Sequence, residues 1–297
     1  MKIVITGGSG FLGSHIADEL TRRGHEVTIF DKKKSIWINS NQKMYVGNIL
    51  NHRVIEKAIK NAKIVFHFAA LADLDEAYFK PLETVKNNIL GTVNILELSR
   101  KHNIKRVIYA SSIYTTSIQG SFYRCSKKAS EDYIEEYYKR YGLNFTVIRY
   151  GSLYGKRSNR TNGVFRILED ALKNKKFQYI GSRNSVRRYI HVSDAAKATA
   201  EVLSDKYKNK YVNIVGAKSY KVTQLFKIVA KSVKISSKVK YLNSGFAGHY
   251  VKSPKLFKLR TGTNYRFNKY IKFDYGIKGL INYIKSFTNA KTAKKTS

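Results

Sequence analysis

Thr6-Gly7-Gly8-Ser9-Gly10-Phe11-Leu12-Gly13 begins on the last residue of the β-branched run KIVIT, and its reading decides the fold. Glycines at 7, 10 and 13 between a strand and an amphipathic stretch make a phosphate-binding turn. Gly7 permits the tight turn, Gly10 lets the backbone approach a pyrophosphate on the helix N-terminus, and Gly13 allows helix and strand to pack closely. Phe11 and Leu12 open that helix and belong to the same cradle. Asp31 ends the next β-branched run, 18 residues after Gly13, where a carboxylate can bond the ribose hydroxyls of an adenosine. The pattern therefore predicts a bound dinucleotide. Asp31 would repel a 2′-phosphate, which favours NAD over NADP; Lys32, Lys33 and Lys34 follow at once and could instead embrace that phosphate or form a solvated turn.

Outward from this turn, short β-branched or aromatic runs alternate with longer amphipathic stretches, the pattern of a parallel sheet covered by helices. Strands are expected at Lys2–Thr6, Val27–Asp31, Lys43–Val46, Ile64–Ala69, Arg106–Ala110 and Asn144–Arg149. Helices are expected near Gly10–Arg23, His52–Asn61, Pro81–His102 and Phe122–Tyr141, and later near Val164–Asn174, Val192–Ser204 and Thr223–Lys231. The fold class is α/β, a Rossmann-type doubly wound parallel sheet with a smaller C-terminal domain. Residues 1–150 form the NAD-binding domain, with a segment near 188–215 returning to it. Residues 151–285 form the substrate domain, and 286–297, small, polar and basic, form a disordered tail.

The chain has 297 residues, 43% of them apolar, enough for a sizeable core. Its one cysteine excludes a disulfide framework and a four-cysteine zinc site, and suggests a reducing, cytoplasmic setting. No apolar run approaches the roughly 20 residues of a membrane span. Lys and Arg exceed Asp and Glu by 36, with +9 in residues 1–150 and +27 in 151–297. Such a field attracts polyanions, nucleic acid or diphosphates among them; the alternative reading is that lysine is this chain's default surface residue.

A second constellation is Tyr123-Arg124-Cys125-Ser126-Lys127, a tyrosine and a lysine four apart on one helix face. With 22 tyrosines some such pairs arise by chance, and Tyr265 and Lys269 make another. Only Tyr123 follows a strand ending in Ser111-Ser112.

At this point the chain resembles the extended branch of the short-chain dehydrogenase/reductase superfamily, the nucleotide-sugar epimerases and dehydratases. The resemblance also rests on His67-Phe68-Ala69-Ala70, on Asn88-Ile89-Leu90-Gly91-Thr92, on Arg149-Tyr150-Gly151-Ser152-Leu153-Tyr154-Gly155, and on Val186 to Asp194 around Arg187 and His191. It implies that Tyr123 is the acid/base, that Lys127 lowers its pKa and binds the nicotinamide ribose, and that Ser112 bonds the reacting oxygen. The physics agrees, since a phenol near pKa 10 needs neighbouring positive charge to act as a base. The resemblance further implies cofactor contacts from Asn48, Ile49, Phe68, Ala69, Ala70, Asn88 and Tyr150, and substrate contacts from Ser152 and from Arg187, which anchors the diphosphate. It also implies a homodimer through the helices bearing Asn88 and Tyr123; the face of Tyr133, Tyr137 and Tyr141 suits an interface or ordinary core packing.

Departures from the family narrow the reaction. Ser112-Ile113-Tyr114 stands where the dehydratases carry Thr/Ser-Asp-Glu and where 3,5-epimerases carry a cysteine after the serine. Cys125 lies on another helix face and reads as a packing residue; His67 and His191 read as structural. Asn48 replaces an acidic residue, Ser152 replaces an asparagine, and ten residues separate Ser112 from Tyr123, a short loop. The leading expectation is NAD-dependent C4 epimerisation of a nucleotide-diphosphate sugar through a transient ketone, in surface glycan synthesis. The alternatives are a nucleotide-sugar reductase or dehydrogenase, or a non-catalytic Rossmann protein binding RNA or another polyanion.

Overall fold

The computed structural model describes residues 1–242 and 262–293, with side chains to residue 286 in the last helix. In its first half the chain runs β1 (Lys2–Thr6), α1 (Phe11–Arg22), β2 (Glu26–Asp31), β3 (Gln42–Val46), α2 (His52–Ile59), β4 (Ile64–His67), α3 (Leu74–Phe79), α4 (Pro81–Thr84), α5 (Gly91–Lys101), β5 (Arg106–Ser112), α6 (Ser121–Tyr141) and β6 (Phe145–Tyr150). Then come β7 (Ser152–Tyr154), α7 (Gly163–Asn174), β8 (Phe177–Ile180), β9 (Val186–Arg187), β10 (Tyr189–His191), α8 (Val192–Glu201), β11 (Lys210–Ile214), β12 (Tyr220–Lys221), α9 (Val222–Val233), β13 (Val239–Leu242), β14 (Thr263–Asn264) and α10 (Phe273–Ala293).

These elements divide into two compact units. The first comprises Met1–Tyr150, Ala196–Ile214 and the described residues 262–266. Its sheet has eight strands in the order β14-β11-β6-β5-β4-β1-β2-β3, every neighbouring pair parallel. Chain order reverses between β1 and β4, and in such sheets the crevice at the carboxyl ends of the strands takes the ligand. The central strands are buried on both faces, which is why β1, β4 and β5 read as near-continuous apolar runs. One core cluster joins Val4, Val65 and Phe30 to Ile55 and Ile59 of α2 and Ile95 and Leu98 of α5. Another joins Val107, Tyr109 and Val147 to Leu96 and Ile134.

The second unit comprises Gly151–Ala195 with residues 215–242 and 267–293. Three short two-stranded pairings, β7 with β10, β9 with β12 and β8 with β13, surround a core of Leu168, Leu225, Phe226, Phe273, Ile277 and Leu280. No helix among the described residues is long and apolar enough to cross a membrane.

Several boundaries differ from expectation. Two strands join the six: β11, of five residues, and β14, of two residues, too few for a sequence pattern. The segment returning to the first unit is Ala196–Ile214, beginning later than 188, because Tyr189–His191 pairs with Ser152–Tyr154 in the second unit. The helix expected over Pro81–His102 is interrupted by a π-helical turn, Val85–Leu90. Residues 286–293, expected to belong to a disordered tail, instead continue α10; 294–297 lie outside the described residues.

Candidate active site

The turn between β1 and α1 is built as its glycines require. Gly7 has φ +74, the left-handed region in which a side chain is strained. Gly13 passes so close to that turn that a Cβ would lie 2.2 Å from the Gly7 carbonyl oxygen. Helix α1 starts at Gly10 without a side-chain cap, so its first N–H groups are not taken up by a capping side chain. Asp31 stands at the end of β2, its carboxylate accepting from the Ser9 backbone N–H at 3.0 Å and that of Lys33 at 3.2 Å. The segment after β4 closes the other side: the Ala69 N–H donates to Thr6 Oγ1 at 3.3 Å, and the Phe68 ring lies 6.3 Å from that of Tyr150. A small-residue cradle at a helix N-terminus, with a carboxylate at the end of the adjacent strand, fits the pyrophosphate and ribose of a dinucleotide.

Some expected cofactor residues stand one step back from this surface. Asn88 is buried in the π turn, its amide accepting from the Leu71 N–H at 2.7 Å and donating to the Leu71 carbonyl at 3.0 Å and to Ser126 Oγ at 2.9 Å. It fixes the segment that follows Ala70. Ile49 is buried in the core beside Gly91 and Asn94, while Asn48 is exposed and caps its own turn through the Leu50 N–H. The Tyr150 hydroxyl is buried against Thr199 at 2.6 Å.

Ser112 lies at the carboxyl end of β5, where α6 brings up Tyr123 and Lys127. Helix α6 begins after Gly120 and ends at Gly142, both in left-handed conformations, and its buried face runs Tyr123, Ser126, Lys127, Ser130, Glu131, Ile134. That spacing turns Tyr123 and Lys127 inward together. Lys127 Nζ donates to the Ala110 carbonyl at 2.8 Å and lies 4.7 Å from the Tyr109 ring and 5.9 Å from the Tyr123 ring. Burial draws the Lys127 ammonium down to about 7, against the charge of Glu131. Burial likewise pushes the Tyr123 phenol up to about 12, opposed by a hydrogen bond with Ser112. Ser112, Tyr123 and Lys127 are thus brought together, all nearly buried.

Cys125 corrects an expectation: it is exposed, not packed, because it falls opposite the buried face of α6. His67 is a fully internal link, with Nδ1 2.7 Å from Thr6 Oγ1 and Nε2 3.1 Å from Thr92 Oγ1. His191 stacks edge-on against Tyr154, centroids 5.2 Å apart, and accepts from the Ser193 N–H. Tyr265 bonds Glu201. In the second unit, the Ser152 N–H donates to the Arg188 carbonyl at 3.2 Å, and Arg187 is buried with Nη1 donating to the Val186 carbonyl at 3.1 Å. Sequence reasoning did not single out Glu131, which pairs with Arg149 beneath Ser111; its signal was a carboxylate four residues after Lys127, on the same helix face.

The family model described as the NAD dependent epimerase/dehydratase family matches residues 3–215. A protein of Methanocaldococcus jannaschii, provisionally named a UDP-glucose 4-epimerase, is 32% identical over 254 residues, covering 78% of this chain and 82% of its own. The UDP-glucose 4-epimerase of Thermotoga maritima, solved with UDP-glucose, superposes with a TM-score of 0.85 at 26% identity, covering 97% of this chain and 100% of that one. That of Thermus thermophilus, solved with NAD, gives 0.83 at 25% identity, covering 96% and 99%. Other matching relatives are named as UDP-sugar decarboxylases and a dTDP-glucose dehydratase.

Proposed function

The chain belongs to the NAD-dependent epimerase/dehydratase family, and from that premise we propose that it is a UDP-sugar 4-epimerase. Membership makes it an NAD-dependent enzyme. The observation that carries the finer reading is the buried group of Ser112, Tyr123 and Lys127, followed by Ile113 and Tyr114, where elimination of water would call for carboxylates. Similarity to 4-epimerases that bind UDP-sugars supports the substrate class.

NAD, when bound, accepts a hydride from the sugar carbon and returns it, and its cationic ring favours the phenolate. The rest is done by this chain. The cradle of Gly7, Gly10 and Gly13 with Asp31 holds the pyrophosphate and ribose. Ser112 bonds the reacting oxygen and Tyr123. Tyr123 takes the proton of the sugar hydroxyl as the ketone forms and gives it back when the opposite face has been presented. Lys127 stabilises the phenolate; burial draws its ammonium down from the ordinary lysine range, and the charge of Glu131 opposes that. Arg187 anchors the diphosphate, its planar fork suiting phosphate oxygens, and Ser152 contacts the substrate. The reading includes a homodimer and a cytoplasmic role in supplying sugar donors for surface glycans.

The test is incubation of the full chain with UDP-glucose, UDP-galactose, UDP-N-acetylglucosamine and UDP-glucuronate, with and without added NAD, products followed by NMR. A 4-epimer formed without net NADH is the expected result. Carbon dioxide and a UDP-pentose from UDP-glucuronate, or accumulating NADH, would replace epimerisation by decarboxylation or dehydrogenation.

A further inference from the structure

Resting on the Tyr123–Lys127 chemistry proposed above, we infer that Glu131 is a positioning residue for it, fixing the strand end that carries Ser112 and keeping negative charge beside Lys127. Glu131 is fully buried on α6, one helical turn beyond Lys127. Its Oε1 accepts from Ser111 Oγ at 2.6 Å, from Arg149 Nε at 2.9 Å and from Thr115 Oγ1 at 3.2 Å; its Oε2 accepts from Arg149 Nη2 at 2.8 Å. One carboxylate therefore ties together α6, β5, the 3₁₀ turn Ile113–Thr116 that follows β5, and β6, where Arg149 lies in register with Ser111. Arg149 in turn lies 4.5 Å from the Tyr211 ring.

Tyr123, Lys127 and Glu131, four apart on one face, engage three successive residues of β5. Tyr123 meets Ser112, Lys127 holds the Ala110 carbonyl, and Glu131 holds the Ser111 hydroxyl. A displacement of Ser111 is a displacement of Ser112, and a small misplacement of a reacting group costs far more in rate than in stability. A buried ion pair is weak evidence of a purely stabilising role, since apolar side chains of similar size often serve as well. This one is spent on the immediate neighbours of the reacting groups.

The groups facing Lys127 define the electrostatic part. Tyr123 and Glu131 face it from α6 and Tyr109 from β5; His67 of β4 is held neutral by burial, and Arg149 of β6 is paired to Glu131. Replacing Glu131 by glutamine removes the anion of this set, so the Lys127 ammonium should be lost at lower pH.

The experiment is an NMR titration of ¹⁵N-labelled lysine side chains in the NAD-free full chain, Lys127 being assigned with Lys127→Arg. Glu131→Gln should lower the Lys127 midpoint by about one pH unit, roughly tenfold in its protonation equilibrium. Ser111→Ala keeps the charge and should leave the midpoint in place while lowering kcat about tenfold or more at constant substrate KM. If Glu131→Gln does not fold, Glu131→Asp keeps the charge on a shorter arm and should show a near-native midpoint with reduced kcat. An unmoved midpoint in folded Glu131→Gln, or native kcat in Ser111→Ala or Glu131→Asp, would overturn the assignment. A wild-type chain that turns over no UDP-sugar would defeat the epimerase reading, with the lysine titration still deciding the role of Glu131.

Discussion

A Cβ placed on Gly7 would lie 2.6 Å from the amide nitrogen of Ala69 and 2.7 Å from the carbonyl carbon of Phe68. The turn after β1 and the segment after β4 are therefore packed backbone against backbone, at the point where the sheet order reverses. Neither side is a flexible side chain that could move away. The two segments can approach this closely only because residue 7 carries no Cβ.

Gly7→Ala should accordingly lose both stability and NAD affinity. Gly24→Ala is the control, because Gly24 also has a left-handed φ, +80, yet its Cβ would meet nothing within 4 Å. The control should cost about 1–2 kcal/mol in urea unfolding and leave NAD binding unchanged. Gly7→Ala should cost more and weaken NAD binding tenfold or more by calorimetry; native affinity would mean that this turn is not the cradle.

Tyr123→Phe separates binding from chemistry. The ring stays in place against Lys127 while the hydroxyl that meets Ser112 is removed. NAD affinity should stay within about twofold and turnover should fall by about 10²–10⁴. Turnover near the wild-type rate would take Tyr123 out of the reaction.

His67 gives a pH dependence with a definite sign. Burial pushes its imidazole down to about 3, from an ordinary value near 6.5. Between those values the unfolded chain binds a proton that the native ring refuses, so this residue lowers stability as the pH falls from about 6.5 toward 3 and costs nothing above that window. His67→Gln can still bond Thr6 and Thr92 and does not titrate. Its unfolding free energy should gain on the wild type by up to about 1.4 kcal/mol per pH unit across the window. Parallel stability curves from pH 7 to 4 would contradict the burial of a neutral ring.

Much of this arrangement can be read in the sequence, and what cannot has specific physical causes. The glycine turn, Asp31 and the Tyr123–Lys127 pair were legible because each depends on spacing along one element and its neighbour. Glu131 was not, because its meaning comes from Ser111, Thr115 and Arg149, which the sheet register brings to it. Asn88 was recognised as part of a motif, but not as the group that holds Leu71 from within a π turn, since a π turn leaves no periodic signature of its own. Cys125 is exposed because the helical period of α6 puts it opposite the buried face, which outweighs the general tendency of cysteine to pack.

The remaining prediction concerns association. Phe79 at the end of α3, Leu82 on α4 and Val85 and Leu90 in the π turn are all exposed, Leu82 to 72% and Phe79 to 76%. On α6, Phe122, Tyr133 and Tyr141 are exposed as well, whereas Tyr137 turns inward and bonds Glu97 of α5 at 2.5 Å. Helices α3, α4 and α6 pack on one another within the first unit, so these exposed side chains sit on neighbouring helices. Exposing several large apolar side chains on adjacent helices to water is unfavourable, and a second copy of this chain would cover them. Sedimentation of the wild-type chain should show a dimer at micromolar concentration, and Leu82→Glu combined with Val85→Glu should shift it to monomer, since burying two unpaired carboxylates costs several kcal/mol. A monomeric wild type, or a dimer that survives both substitutions, would place the association elsewhere or remove it.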